Sequence, residues 1–502
     1  PLPRLGSRPL QTGTATSMTQ TSSSQHNHWK NFIAGQWVDS SEILMVENPA
    51  TGAVFASIAN AGLEDVEKAV QAARECVNKG LLSDCRPAER TALLLRIANE
   101  IRAISDQAAE LAVLENGKRL TDAKDELAEA ARYFEYYAGM ADKIEGTSIP
   151  LGANYVDYTV YEPQGISVQI VPWNFPVSIC ARSLAPALAA GNAVIVKSPE
   201  LTPLAITWLA TACQRAGLPK GALSILCGDG PTIGGALVSH SDINQIVFTG
   251  SVPTGRSILH AAAERAVPSV MELGGKSAAV VFADADLNQL IQSVYWGIFF
   301  NAGQVCSAMS RLLVERSVYE QVIERVKILA EELSIGAGID NADLTPLASL
   351  AQQQQVLNHC TQAIAQGATL VTGGAVPTEL PGYFFQPSVF CDVSETMNLF
   401  QQEVFGPVIA ITPFDTEQQA WDLANATDYG LVAGIFSSDL GRCLRGSKAL
   451  IAGQVFVNEW YAGGIETPFG GTGLSGFGRE KGQEALYSYV RSKNIAMRVT
   501  KP

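Results

Sequence analysis

The stretch GISVQIVPWNFPVSICARSLAPALAAGNAVIVKS (residues 165–198) reads as strand, sharp break, helix and strand again. Residues 166–171 form an apolar run of strand length. Pro172 and Pro176 then end it around Trp173, Asn174 and Phe175, since proline cannot continue a strand ladder. Residues 193–196 repeat the apolar run, and 223–226, 245–248 and 269–273 continue the series between helical stretches. Alternation of this kind demands right-handed strand–helix–strand units on a parallel sheet.

A second series begins near Ala278, with strand candidates at 278–282, 311–314, 369–371, 408–412, 433–436 and 453–457. The fold class is therefore α/β, with two parallel-sheet domains. Upstream, residues 63–141 carry apolar positions at three- and four-residue spacing and read as a helical lead-in. Residues 155–161 and 488–498 alternate polar with apolar, as half-exposed arms do, and arms of this kind often pair across subunits. No internal repeat of 20 to 50 residues is visible.

With 502 residues and 47% hydrophobic content, the chain exceeds one core and expects two or three packed units. No apolar run approaches the roughly 18 residues that span a bilayer. A formal net charge of −14 without a basic patch argues against nucleic acid. Nine scattered cysteines without a CxxC pair fit reduced thiols of a cytoplasmic enzyme better than a disulfide framework or a metal site. The first 28 residues, rich in Ser, Thr, Gln and Pro, are expected to be disordered. Met18 is a plausible start, which makes 1–17 upstream sequence; a transit peptide is the alternative.

Four segments carry chemistry. Cys306 follows a Gly-Gln-Val turn after an aromatic stretch, whereas most cysteines are only small buried hydrophobes. A nucleophilic thiol needs such partial access and a polar neighbour for developing charge. Glu272 ends an apolar strand at a Gly pair; it is either a strand-ending acid bound by turn amides or, with its pKa raised by apolar walls, a base for water. Asn174 either caps the helix after Pro176 or offers its amide to an oxyanion. Gly250 and Ser251 end a strand and open a helix, where phosphate can be bound; this is not the GxGxxG fingerprint.

Together these segments resemble the aldehyde dehydrogenase superfamily over about residues 29–497. The resemblance rests on PWNFP at 172–176, KSPE at 197–200, FTGS at 248–251, ELGGK at 272–276, GQVC at 303–306, EVFGP at 403–407 and PFGG at 468–471, in the family's order. It implies Cys306 as nucleophile, Glu272 as general base, and Asn174 with the Cys306 amide as oxyanion hole. It further implies that Lys197 and Glu200 hold the adenosine ribose of NAD, that Trp173, Gly250 and Ser251 belong to the cofactor site with the last two at the pyrophosphate, and that Glu403 and Phe405 position the nicotinamide end. Glu200 would repel a 2′-phosphate, so NAD is expected over NADP.

Two Rossmann-like domains follow from the resemblance: 26–140 with 164–274 for NAD and 275–474 for catalysis, behind a leader of residues 1–25. Arms at 141–163 and 475–502 would join a homodimer or homotetramer. The substrate tunnel would be walled by Phe175, Arg182, Phe300 and Trp460, with Ser307 and Tyr461 nearby. Aromatic residues at three of these positions resemble betaine aldehyde dehydrogenases, but Arg182 would repel their cation. Arg182 resembles succinic semialdehyde dehydrogenases, but Phe300 stands where those carry a second Arg. Arg182 either faces the tunnel or pairs with a neighbouring carboxylate away from it. A medium-sized aromatic or mildly anionic aldehyde is expected. An acylating dehydrogenase that uses coenzyme A and a non-catalytic structural relative are the alternatives; the first generally lacks the acid at Glu272.

Overall fold

The computed structural model describes residues 27–499, so the leader of residues 1–25 lies outside the described residues. Two large sheets organise the rest. The first has eight strands in the order Gly476–Phe477, Ser269–Glu272, Gln245–Thr249, Ile166–Ile170, Ala193–Ser198, Leu223–Cys227, Asn31–Ile33 and Gln36–Val38. Its five central strands are parallel. Helices cover both faces of such a sheet, so its strands are apolar throughout rather than alternating. All six residues of Ala193–Ser198 and all five of Leu223–Cys227 are buried accordingly.

The second sheet has seven strands in the order Thr369–Thr372, Ser388–Cys391, Val408–Phe414, Arg311–Glu315, Ala278–Val281, Val432–Phe436 and Gln454–Val457. Only the Thr369–Thr372 pairing is antiparallel. Each sheet has its own hydrophobic core, and the half-buried Phe175 packs against both. The α/β architecture with parallel sheets is thus present.

Helices Leu63–Asn78, Pro87–Ala103, Ser105–Asn116 and Leu120–Ala138 occupy the lead-in. Ahead of them lies structure absent from the sequence reading: Asn27–Trp29, Ile43–Asn48 and Ala53–Ala59 form a separate three-stranded sheet. Strands of three residues such as Asn27–Trp29 are too short to show a period.

The arms Tyr155–Pro163 and Val490–Arg498 pair with each other in antiparallel register, Tyr155 opposite Arg498 and Pro163 opposite Val490. They pair within one chain, leaving Tyr155, Val156 and Met497 exposed. Among the described residues, no helix is long and apolar enough to cross a membrane.

Candidate active site

The first sheet reverses its strand order beside Ile166–Ile170: the chain runs outward through Ala193–Ser198 and Leu223–Cys227, then returns to Gln245–Thr249 on the other side. Open α/β sheets bind ligands at the carboxyl ends of strands at such a switch point. The segments around Asn174, Lys197, Gly250 and Glu272 all leave strands at this edge. The second sheet meets it with the opposite edge, because Cys306 lies in the loop entering Arg311–Glu315 and Gly274-Gly275 leads into Ala278–Val281. The approach is close. A Cβ on Gly275 would sit 2.4 Å from the Cys306 carbonyl oxygen, so only glycine fits there.

Cys306 is partly accessible, and its loop is unusual. Asn301, Ala302 and Gly303 have φ of 49°, 53° and 70°, three successive left-handed residues that turn the chain abruptly ahead of the thiol. Gln304 fastens the turn: its Nε2 donates to the Asn301 carbonyl at 3.0 Å and its Oε1 accepts from the Ala348 amide at 2.8 Å. Among the described residues the Cys306 N–H donates to no protein acceptor. Burial pushes the Cys306 thiol up to about 12, against a lowering pull from Arg182.

Asn174 is held on both sides. Its Nδ2 donates to the Gln304 carbonyl at 2.9 Å, which employs one of its two hydrogens. Its own carbonyl accepts from Lys118 Nζ at 3.0 Å. Lys118 forms a buried ion pair with Glu126, whose Oε1 accepts the amides of Val177 and Ser178 at 2.9 and 3.0 Å. These are first-turn donors of helix Pro176–Ala189, and a carboxylate there is favoured by the helix dipole. The carbonyl before Asn174, that of Trp173, accepts from Asn116 Nδ2 and Thr202 Oγ1, each at 2.9 Å. The sequence reading missed this support, because Lys118 and Glu126 carry no local signal and Gln304 stands out only as part of the turn before Cys306.

Glu272 is only 2% exposed, and neither carboxyl oxygen has a hydrogen-bond partner among the described residues. Burial, reinforced by the nearby Glu480, raises its pKa well above the usual carboxylate range. A Cβ on Gly470 would lie 2.7 Å from Glu272 Oε1, so the PFGG segment roofs the acid without a side chain. Glu403 accepts the Gly275 amide at 2.9 Å, and burial brings its carboxyl up to about 7.

Past the end of strand Ala193–Ser198, Lys197 Nζ and Glu200 Oε1 are 2.7 Å apart. Gly230 leaves the space beside this pair open, since a Cβ there would lie 3.3 Å from Glu200 Oε1. Ser251 caps helix Val252–Ala263, and its Oγ accepts from the Thr254 amide. The Gly250 amide is engaged within the sheet, donating to the Glu272 carbonyl at 3.0 Å, so it is not a free phosphate donor. Trp173 and Phe405 meet edge to face with centroids 5.3 Å apart. Gln352 Nε2 donates to the Val404 and Phe405 carbonyls at 3.3 and 2.8 Å and steadies Phe405 at φ 56°.

Cys306, Asn174 and Ser307 open onto a cleft of about 330 Å³ walled by Phe175, Phe300 and Tyr461. Phe175 and Phe300 stack with centroids 5.8 Å apart. Arg182 lines this cleft and also pairs with Glu480, so the two readings of its role coexist. Trp460 requires correction. It is buried beside the cleft rather than lining it, with its indole N–H donating to the Ser307 carbonyl at 3.2 Å. Asn458 at φ 58° and Tyr461 at φ 66° break the strand alternation around it, and Gly434 leaves room for its ring. Phe456, Phe469, Glu129 and Lys481 line the cleft without having been singled out in the sequence.

The chain matches the aldehyde dehydrogenase family over residues 37–495. The mitochondrial aldehyde dehydrogenase family 2 member B4 of Arabidopsis thaliana is 39% identical over 486 residues, covering 95% of this chain and 90% of that protein. The betaine aldehyde dehydrogenase of Bacillus subtilis is 37% identical over 481 residues, covering 94% and 97%. Among solved structures, the NAD+ complex of aldehyde dehydrogenase from Bacillus cereus agrees with a TM-score of 0.93 at 37% identity, covering 94% of this chain and 97% of that one.

Proposed function

The chain belongs to the aldehyde dehydrogenase family and is an aldehyde-oxidising enzyme, and on that premise we propose that it uses NAD and forms a thioester on Cys306 that water cleaves to the acid. The observation that carries this reading is the convergence of the Cys306 thiol and the Asn174 amide on one aromatic cleft, with the buried Glu272 beyond them. The thiolate attacks the aldehyde carbon. The oxyanion of the resulting thiohemiacetal accepts from the spare Nδ2 hydrogen of Asn174 and from the unengaged Cys306 amide. When bound, NAD supplies the hydride acceptor. Glu272, once ionised, takes a proton from the water that cleaves the thioester. Its presence favours hydrolysis over transfer to coenzyme A.

Glu200 supports NAD over NADP, because a carboxylate there can accept from a ribose 2′-hydroxyl and would repel a 2′-phosphate. Arg182 and the aromatic walls favour a medium-sized aromatic or mildly anionic aldehyde. The nine unpaired thiols fit a reducing, cytoplasmic setting.

The test is direct. Aromatic aldehydes with NAD should yield NADH and acid in equal amounts without coenzyme A, and NADP should serve at least about tenfold less well, as one misplaced phosphate charge implies. The reactive forms of Cys306 and Glu272 are both deprotonated and both pKa values are raised, so ionisation is deferred to higher pH. kcat/KM should therefore climb from pH 7 to 9.5; a profile flat across that range would contradict the assignment.

The exposed Tyr155, Val156 and Met497 of the arm sheet suit a subunit contact in a dimer or tetramer. Light scattering should give at least twice 53.4 kDa for the chain in solution, and a monomer at micromolar concentration would refute it.

A further inference from the structure

The cleft around Cys306 contains charged groups that the reaction itself does not use. Glu129 is satisfied: its Oε1 accepts from the Tyr133 hydroxyl at 3.2 Å and its Oε2 from Ser178 Oγ at 2.6 Å. The cations are each ion-paired but keep donors to spare. Arg182 spends Nη2 on Thr249 at 3.2 Å and on Glu480, while its buried Nε has no partner and its Nη1 makes no hydrogen bond among the described residues. Lys481 makes no hydrogen bond among the described residues; it is partly exposed and forms a loose ion pair with Glu129 Oε1 at 3.7 Å. Both cations lie near one ring, that of Phe469, with Arg182 Cζ at 5.5 Å and Lys481 Nζ at 5.7 Å from its centroid.

Lys481 reaches this position from a strained backbone, at φ 60° without being glycine. The cleft thus holds spare donors that carry positive charge, beside the Tyr461 hydroxyl, unpartnered among the described residues, and a carboxylate would satisfy them. We propose that Lys481, together with Arg182, forms a carboxylate-binding subsite, so that the enzyme's preferred substrates are aldehydes bearing an anionic group at the end remote from the carbonyl. This rests on the aldehyde-oxidising reading above and adds to it the second cation missing at Phe300. Burial lowers the Lys481 pKa, and a bound carboxylate would favour its charged form.

The probes are 4-carboxybenzaldehyde and benzaldehyde, which share a ring and differ in one carboxylate. The wild-type enzyme should prefer the first in kcat/KM. Lys481→Met should raise KM for 4-carboxybenzaldehyde about 10- to 100-fold more than KM for benzaldehyde, with little change in kcat, as loss of a charge-assisted hydrogen bond implies. Lys481→Arg should recover most of that difference. Glu129→Gln, which removes the competing negative charge, should lower KM for the carboxylated probe. Equal changes for both probes in Lys481→Met would overturn the subsite while leaving aldehyde oxidation intact; failure of the wild type to oxidise either probe would instead strike at the underlying reading. Should Lys481→Met not fold, inhibition of the wild type decides: succinate must compete with aldehyde more strongly than butyrate does, and equal inhibition refutes the subsite.

Discussion

Cys306→Ala should cut aldehyde-dependent NADH formation by about 10⁴-fold or more, because removing a covalent nucleophile leaves only binding and the oxyanion donors. NAD affinity should stay within about twofold of wild type, since alanine removes one sulfur and leaves the Asn174 and Glu403 contacts in place. The fold should also tolerate the change: the thiol is partly accessible, and the turn before it is held by Gln304 rather than by sulfur. Stopped-flow absorbance at the NADH wavelength and isothermal titration with NAD measure the two quantities. Appreciable turnover by the alanine variant would remove Cys306 from the mechanism, however well the protein folds.

The second large effect concerns Glu272. Glutamine there preserves shape but cannot accept a proton, so steady-state turnover should fall about 10²- to 10⁴-fold. The loss should be selective in time. Hydride departure does not require the water-activating acid, so mixing enzyme with NAD and aldehyde should release about one NADH per active site and then stall. Intact mass spectrometry should find the acyl group retained on the protein, and on Cys306 after digestion. Stability should change little, because the wild-type carboxyl already lacks hydrogen-bond partners among the described residues. A steady state as fast as wild type would assign the hydrolytic proton to another group, with Glu480 and Glu403 the nearby acids.

The parallel sheets were legible because their strands are buried on both faces. A run such as Ala193–Ser198 has no exposed residue, and its apolar block stands out between helices. Strand Ser388–Cys391 escaped notice for a related reason: four buried residues between Pro387 and Asp392 show neither alternation nor length. At the site, short motifs led to Cys306, Asn174 and Glu272 because each sits where a strand or helix breaks. What remained hidden depends on contacts between distant segments. Lys118 reaches the Asn174 carbonyl across 56 residues, and Lys481 comes to the cleft from near the end of the chain. The sequence puts Trp460 on the tunnel wall with Tyr461 only nearby, but left-handed residues on either side of Trp460 send its ring into the core and leave Tyr461 on the cleft wall.

The meeting of the two sheet edges has a consequence for how the enzyme tolerates change. Asn174 lies between Val171 and Val177 of one hydrophobic core and Cys306 packs against the other, the two joined by the Asn174–Gln304 hydrogen bond and by glycine close approach at Gly275. Transition-state geometry is therefore a property of a seam, and displacements well under 1 Å there are costly in rate. A substitution deep in either core can leave overall stability almost intact and still misalign donor and nucleophile. Selection on this chain then acts on the relative placement of two cores more stringently than on the stability of each, and conservative packing changes far from the thiol become a source of catalytic variation.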